Sequence, residues 1–159
     1  MNSMRLLVGL GNPGRQYVNT RHNAGFFVAD SLYSRKVPAG FVIKKSDVFM
    51  NESGVFVKKL VDQYKLEPSN LYIAHDDLDI PLGAYKIQLG VGPKVHNGVN
   101  SVEEELGTKD FWRVRIGVDN RKPDDRTSGE EYVLQDFTAE ERKALDGVIQ
   151  EICKKLVTL

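Results

Sequence analysis

The chain has 159 residues, 41% apolar and 28% charged, a composition that fits one soluble globular domain spanning 1–159 and leaves little room for a second. Lys and Arg (22) balance Asp and Glu (22), so the formal net charge of +0 excludes an overall basic footprint for nucleic acid, and any RNA contact must come from a local patch. No apolar run reaches membrane-spanning length and the opening MNSMRLLVGLG lacks a signal-peptide core, so a cytoplasmic protein with no membrane partner is expected.

In chain order, Leu6-Leu7-Val8 reads as a buried strand that breaks at Gly9-Leu10-Gly11-Asn12-Pro13-Gly14. Asn23 is a plausible cap for a helix through Ala24, Phe27, Val28 and Leu32, closed by Pro38 and Gly40. Phe41-Val42-Ile43 is a short strand, and Asn51-Glu52-Ser53-Gly54 leads into a second helix marked by Val57, Leu60, Val61 and Tyr64. Leu71-Tyr72-Ile73-Ala74 is a strand expected to stop at His75-Asp76-Asp77, and Pro81-Leu82-Gly83 turns the chain into the alternating strand 84–89. After a glycine-containing loop over 90–95, His96-Asn97 opens a helix through Val99, Val102 and Leu106, and residues 112–118 alternate as a strand. Asn120 to Gly129 is expected to be an exposed loop. Thr138-Ala139-Glu140-Glu141 is a capping box for a C-terminal helix in which Cys153 falls at core spacing, which argues against a role as nucleophile. The alternation predicts an α/β fold, a three-layer sandwich with a mixed, mostly parallel sheet flanked by helices.

Ligands gather in such folds where strands end and helices begin. Asn12, His22, Asn51, Asp76 and the pair His96-Asn97 are all expected there. A neutral imidazole can take a proton from water, and a carboxylate behind it fixes the tautomer and stabilises the imidazolium, so His22 with Asp76 would make a general base. Carboxamides donate hydrogen bonds without titrating, so Asn12, Asn51 and Asn97 could hold a carbonyl or an oxyanion. Taken singly, each has a simpler reading: Asn and Asp at helix starts are usually caps, and a histidine can be a surface residue. The cluster His75-Asp76-Asp77-Leu78-Asp79 lacks zinc-ligand spacing, so no metal is expected. Gly9 to Gly14 meets a loose dinucleotide template, but Pro13 and the missing acidic partner argue against it, and no G-x-S-x-G elbow is present.

Together, these residues resemble the bacterial-type peptidyl-tRNA hydrolases. Gly9 to Gly14, Tyr17 and Thr20-Arg21-His22-Asn23-Ala24-Gly25 look like the family's opening signature, and Phe49-Met50-Asn51-Glu52-Ser53-Gly54 is similar to its second. His75 to Pro81, His96-Asn97-Gly98 and Arg113-Val114-Arg115-Ile116-Gly117 follow in the family's order. The resemblance implies hydrolysis of the ester between a peptide and tRNA, recycling tRNA from aborted translation, with no cofactor. It implies His22 as base, Asp76 as its orienting partner, and Asn12, Asn51 and Asn97 around the peptide, ester and oxyanion. Met50 would line the peptide channel, Tyr17 would belong to the substrate-binding set, and Asn23 and His96 would support it. Peptidyl-tRNA is the implied partner of a monomer with no obligate protein partner.

The chain departs from the family in three places: a short stretch between Leu32 and Phe49, which implies a reduced sheet edge, an altered loop over 90–95, and an early C-terminus. The resemblance also implies a phosphate clamp whose arginine falls on Arg115 while the lysine position is Gln88, so that one arm lacks charge and Lys86 or Lys94 could partly substitute. Residues 84 to 100 contain no Asp or Glu, a local positive patch. The alternative function is an inactive RNA-binding protein on the same fold, as in plant chloroplast splicing factors that resemble this family.

Overall fold

Runs rich in Val, Ile, Leu and Tyr pair into a five-stranded sheet in the computed structural model, which describes residues 4–159. The strands are β1 (Arg5–Gly9), β2 (Phe41–Lys45), β3 (Leu71–Pro81), β4 (Tyr85–Leu89) and β5 (Trp112–Asp119), in the order β2-β1-β3-β5-β4. The β1–β2, β1–β3 and β3–β5 pairs are parallel and β4 runs antiparallel to β5, so the sheet is mixed and mostly parallel. Outermost on one side is β2, reached through the short 32–49 stretch.

The helices are α1 (Ala24–Tyr33), α2 (Ser53–Tyr64), α3 (Asn97–Leu106), α4 (Gly129–Val133) and α5 (Ala139–Val157). Successive strand residues point to opposite faces, and that alternation divides the interior into two cores. Leu7, Tyr72, Val114 and Ile116 pack with α1 and α5, including Val28, Leu32, Leu145, Ile152 and the fully buried Cys153. Leu6, Val8 and Ile73 pack on the other face with Val57 of α2 and Val99 and Val102 of α3. The result is three layers, as the periodicity predicts. Each fully buried Leu or Ile contributes about 1.5–3 kcal/mol relative to exposure.

Two glycines permit close approaches that position the site. A Cβ on Gly25 would strike Ala74 O and crowd Leu10, so this glycine lets the start of α1 seat against the end of β1 and the first half of β3. A Cβ on Gly54 would strike Ser101 O, so it brings α2 against α3. The expected capping box on α5 forms, with Thr138 and Glu141 exchanging hydrogen bonds.

Three local expectations are corrected. Strand β3 does not stop at His75-Asp76-Asp77 but continues to Pro81, because these three polar residues find buried partners instead of water. The exposed loop after β5 ends one residue earlier than expected, and Gly129–Val133 forms α4, capped by the Ser128 hydroxyl. Asn23 precedes α1 but its side chain caps nothing there, being engaged with Asn12. No helix among the described residues is long and apolar enough to cross a membrane.

Candidate active site

The loop after β1 and the second half of β3 open into a cleft of about 670 Å³, walled also by the turn before α2, the start of α3 and by α4. Its lining includes Asn12, His22, Met50, Asn51, Asp76, His96 and Asn97, so seven of the residues singled out from sequence converge on one space.

Asp76 lies on β3 opposite Ile116 of β5, 2% exposed. Both its oxygens face His22 Nδ1, at 3.0 and 2.9 Å, and Oδ1 also faces His96 Nε2 at 2.8 Å. The tautomers follow from the fixed donors. The Val99 backbone N–H donates to His96 Nδ1 at 3.1 Å, so the His96 proton sits on Nε2 and is donated to Asp76. His22 donates its Nδ1 proton to the same carboxylate, leaving Nε2 as the basic nitrogen on a ring that lines the cleft. Burial lowers the His22 pKa, but the Asp76 charge and hydrogen bond outweigh it and hold the imidazole above its ordinary value. Burial opposes the Asp76 charge too, yet the two histidines hold its carboxyl well below the usual carboxylate range.

His22, Asp76 and His96 could in principle gather round a metal ion. The Val99 N–H argues against it: with His96 Nδ1 accepting that bond, a metal on Nε2 would require an imidazolate. His75 stands behind this group, fully buried, with Nδ1 donating to Asp76 O at 2.8 Å. Its burial and the neighbouring His96 push its pKa down to about 3, so it stays neutral.

The Asn12 and Asn23 carboxamides are held by backbone. Asn12 N–H donates to Asn23 Oδ1 at 2.8 Å while Asn23 Nδ2 donates to Asn12 O at 3.0 Å, a reciprocal pair that fixes the loop after β1. Met50 N–H donates to Asn12 Oδ1 at 2.8 Å, which orients the Asn12 amide and leaves its Nδ2 as the group free to donate. Met50 is buried against Gly98, where a Cβ would strike its sulfur. Ser101 Oγ donates to Asn51 O at 3.1 Å, anchoring that backbone while the Asn51 side chain stays exposed at the cleft. Asn97, the first residue of α3, is likewise exposed on the cleft rim; the capping of α3 is done by His96.

Five expected residues lie outside the cleft lining: Asn23, paired with Asn12 beneath it, and four others. Tyr17 packs edge-on against Phe49, ring centres 6.3 Å apart, and reaches the cleft only through that neighbour. Lys86 and Lys94 are exposed. Arg115 is buried, its Nε donating to Asp77 Oδ2 at 2.7 Å and one terminal nitrogen donating to Gln88 Oε1 at 2.8 Å, so its charge is already compensated. Sequence reasoning missed Phe49, Leu78, Val95, Glu130, Val133 and Leu134 as cleft residues. The apolar ones among them, with Met50, give the cleft a hydrophobic wall beside its polar floor.

A histidine backed by a carboxylate, with carboxamides beside an apolar wall, on a doubly covered α/β sheet, is an arrangement suited to a hydrolase that acts on an acyl group. Relatives narrow this. The family profile described as peptidyl-tRNA hydrolase matches residues 6–41 and 37–159, the two segments meeting within the shortened 32–49 stretch. A peptidyl-tRNA hydrolase of Neisseria meningitidis serogroup C is 37% identical over 93% of this chain and 86% of its own length; one of Mycolicibacterium vanbaalenii is 40% identical over 92% and 85%. The crystal structure of the Acinetobacter baumannii peptidyl-tRNA hydrolase superposes with a TM-score of 0.83 at 30% identity, covering 98% of this chain and 89% of that one. The chain belongs to the peptidyl-tRNA hydrolase family.

Proposed function

We propose that this chain hydrolyses the ester linking a peptide's C-terminal carbonyl to the ribose at the 3′ end of tRNA, and so returns stalled peptidyl-tRNA to free tRNA and peptide. The observation that carries the reading is the His22–Asp76 pair at the floor of a cleft whose other polar groups are amides. His22 Nε2 takes a proton as water attacks the ester carbonyl, the new C–O bond forms, and the oxyanion is met by amide donors, with Asn12 Nδ2 the best oriented. Collapse breaks the bond to the ribose oxygen, which receives the proton back from His22. Asp76 remains ionised throughout and holds the imidazolium, while His96 holds Asp76. Asn51 and Asn97 at the rim position the ester, and the apolar wall around Met50 takes the peptide.

The reading extends to tRNA grip. With Arg115 shared between Asp77 and Gln88, the free cations on that side are Lys86 and Lys94, and these are the phosphate contacts we assign. No feature of the cleft favours the inactive RNA-binding alternative, since the base, its carboxylate and all three carboxamides are in place. Purified protein incubated with an amino-blocked peptidyl-tRNA should release free tRNA, with aminoacyl-tRNA as the unblocked comparison; no release would refute the assignment. Turnover should survive a chelator, because the nucleophile is water deprotonated by His22.

A further inference from the structure

The wall of the cleft formed by α4 cannot hold itself in place, because a five-residue helix is far below the length that is stable alone in water. Arg21, the residue immediately before His22, supplies what is missing. It is 5% exposed; one terminal nitrogen donates to Tyr132 O at 3.1 Å and Gln135 Oε1 at 3.4 Å, the other to Glu141 Oε1 at 2.8 Å. The guanidinium carbon also lies 3.8 Å from the centre of the Tyr132 ring. Its Nε–H finds no acceptor among the described residues, so the two ends of the fork carry the hydrogen bonding. Tyr132 O belongs to the last turn of α4, where the helix dipole favours a cation. Backbone bonds run alongside: Arg21 N–H donates to Gln135 O at 3.1 Å and Phe137 N–H to Asn19 O at 3.0 Å.

We infer that Arg21 is a positioning residue, clamping α4 and the start of α5 to the turn that carries the base, so that the wall against which the substrate's acyl part rests keeps a fixed place relative to His22. This deepens the assignment of the cleft as the peptidyl-tRNA site and rests on it. Glu130, Val133 and Leu134 reach the cleft from α4 or just beyond it, and they move if the clamp opens. The His22–Asp76 and Asp76–His96 bonds do not involve Arg21, so a loosened clamp costs substrate placement and leaves proton transfer alone.

The test is Arg21→Lys, which keeps the charge but replaces a planar fork by a point donor. Peptidyl-tRNA hydrolysis and amide hydrogen exchange are measured on the same preparation. Expected are a KM raised about tenfold, the size of one lost charge-assisted hydrogen bond, an acidic limb of the kcat pH profile left where it was, and faster exchange over 129–137 with α1 and the sheet unchanged. Unaltered exchange over 129–137 overturns the clamp, and faster exchange with an unaltered KM reduces Arg21 to a purely structural role. Should Arg21→Lys not fold, Gln135→Ala and Glu141→Gln each weaken one contact and should move both readouts the same way by less; no change in either variant also overturns the clamp. A wild-type protein that releases no tRNA would refute the reading of the cleft, and with it the substrate-placing role, while the exchange comparison would still decide whether Arg21 holds α4.

Discussion

Asp76 and Asp77 are consecutive residues of β3, 2% and 1% exposed, and their surroundings give them opposite characters. Asp76 is held by two imidazoles, one of them His22, whose free ring nitrogen lines the cleft. Asp77 accepts from Arg115, which keeps its charge at any pH the protein meets, and from the Asp79 backbone N–H at 2.9 Å. Strand alternation sends neighbouring side chains to opposite faces, so one step along the chain separates a pair that can handle protons from one that cannot. Burial of a carboxylate therefore does not mark catalysis in this sheet. The identity of its partner does.

The largest effect belongs to the proton-handling side. His22→Ala should fold and lose roughly two to four orders of magnitude in turnover, the usual contribution of a general base. Turnover near wild type would break the contrast at its root. Asp76→Asn should lose less and reveal more: without the carboxylate charge, burial is left to act on His22, and the acidic limb of the pH profile should move to lower pH. In the unaltered protein that limb should lie above the ordinary histidine range, because the Asp76 charge and hydrogen bond raise the His22 pKa. The same shift makes the His22 contribution to stability complete below that ordinary range and lost as pH climbs through the raised value, so turnover and this share of stability should change in opposite senses over the same interval. A limb that stays put in Asp76→Asn would mean that another group orients the base.

Asp77→Asn should show the reverse pattern. Removing the counterion strands the buried Arg115, at a cost of about 3–5 kcal/mol, which lowers Tm by roughly 10 °C in a chain of this size. Turnover per folded molecule should be retained. A loss of turnover with Tm unchanged would show that the two carboxylates share the chemistry.

The same contrast explains what could be read in the sequence. Helices α1, α2, α3 and α5 and the apolar strands were legible because each buries a periodic face, and five polar loop segments pointed to one cleft. The far half of β3 was not. Asp76 and Asp77 look like a loop until Arg115, His22 and His96, distant in sequence, are seen to satisfy them. Helix α4 was missed for a related reason: only Tyr132 and Val133 of its residues are buried, and it is fixed by Arg21, more than a hundred residues away. With α4 went Glu130, Val133 and Leu134 as cleft residues. His96 was legible as a supporting residue, but its tautomer depends on the Val99 N–H and could be assigned only from geometry. For Arg115, spacing gave the position and could not reveal that Asp77 already holds the charge.

The smallest expected effect sharpens the fixed side of the comparison. If Arg115 is committed to Asp77, the cations available to a tRNA phosphate near this edge are Lys86, which lies opposite Arg115 in the β4–β5 register, and Lys94. Each contact to single-stranded nucleic acid changes the slope of log affinity against log salt by about 0.7, so Lys86→Ala should flatten that slope by about this amount. Lys94→Ala should do the same, less whatever the nearby Asp79 carboxylate, which accepts the Lys94 backbone N–H, already offsets. Neither substitution should alter hydrolysis of a short peptidyl-nucleotide, since neither side chain lines the cleft. Gln88→Lys separates this from a shared arginine: Gln88 Oε1 now accepts from Arg115, and a lysine there would set two cations side by side. A steeper slope in that variant without loss of Tm would show that Arg115 can leave Asp77 to meet a phosphate, whereas a lower Tm with an unsteepened slope is the outcome expected of a fixed pair.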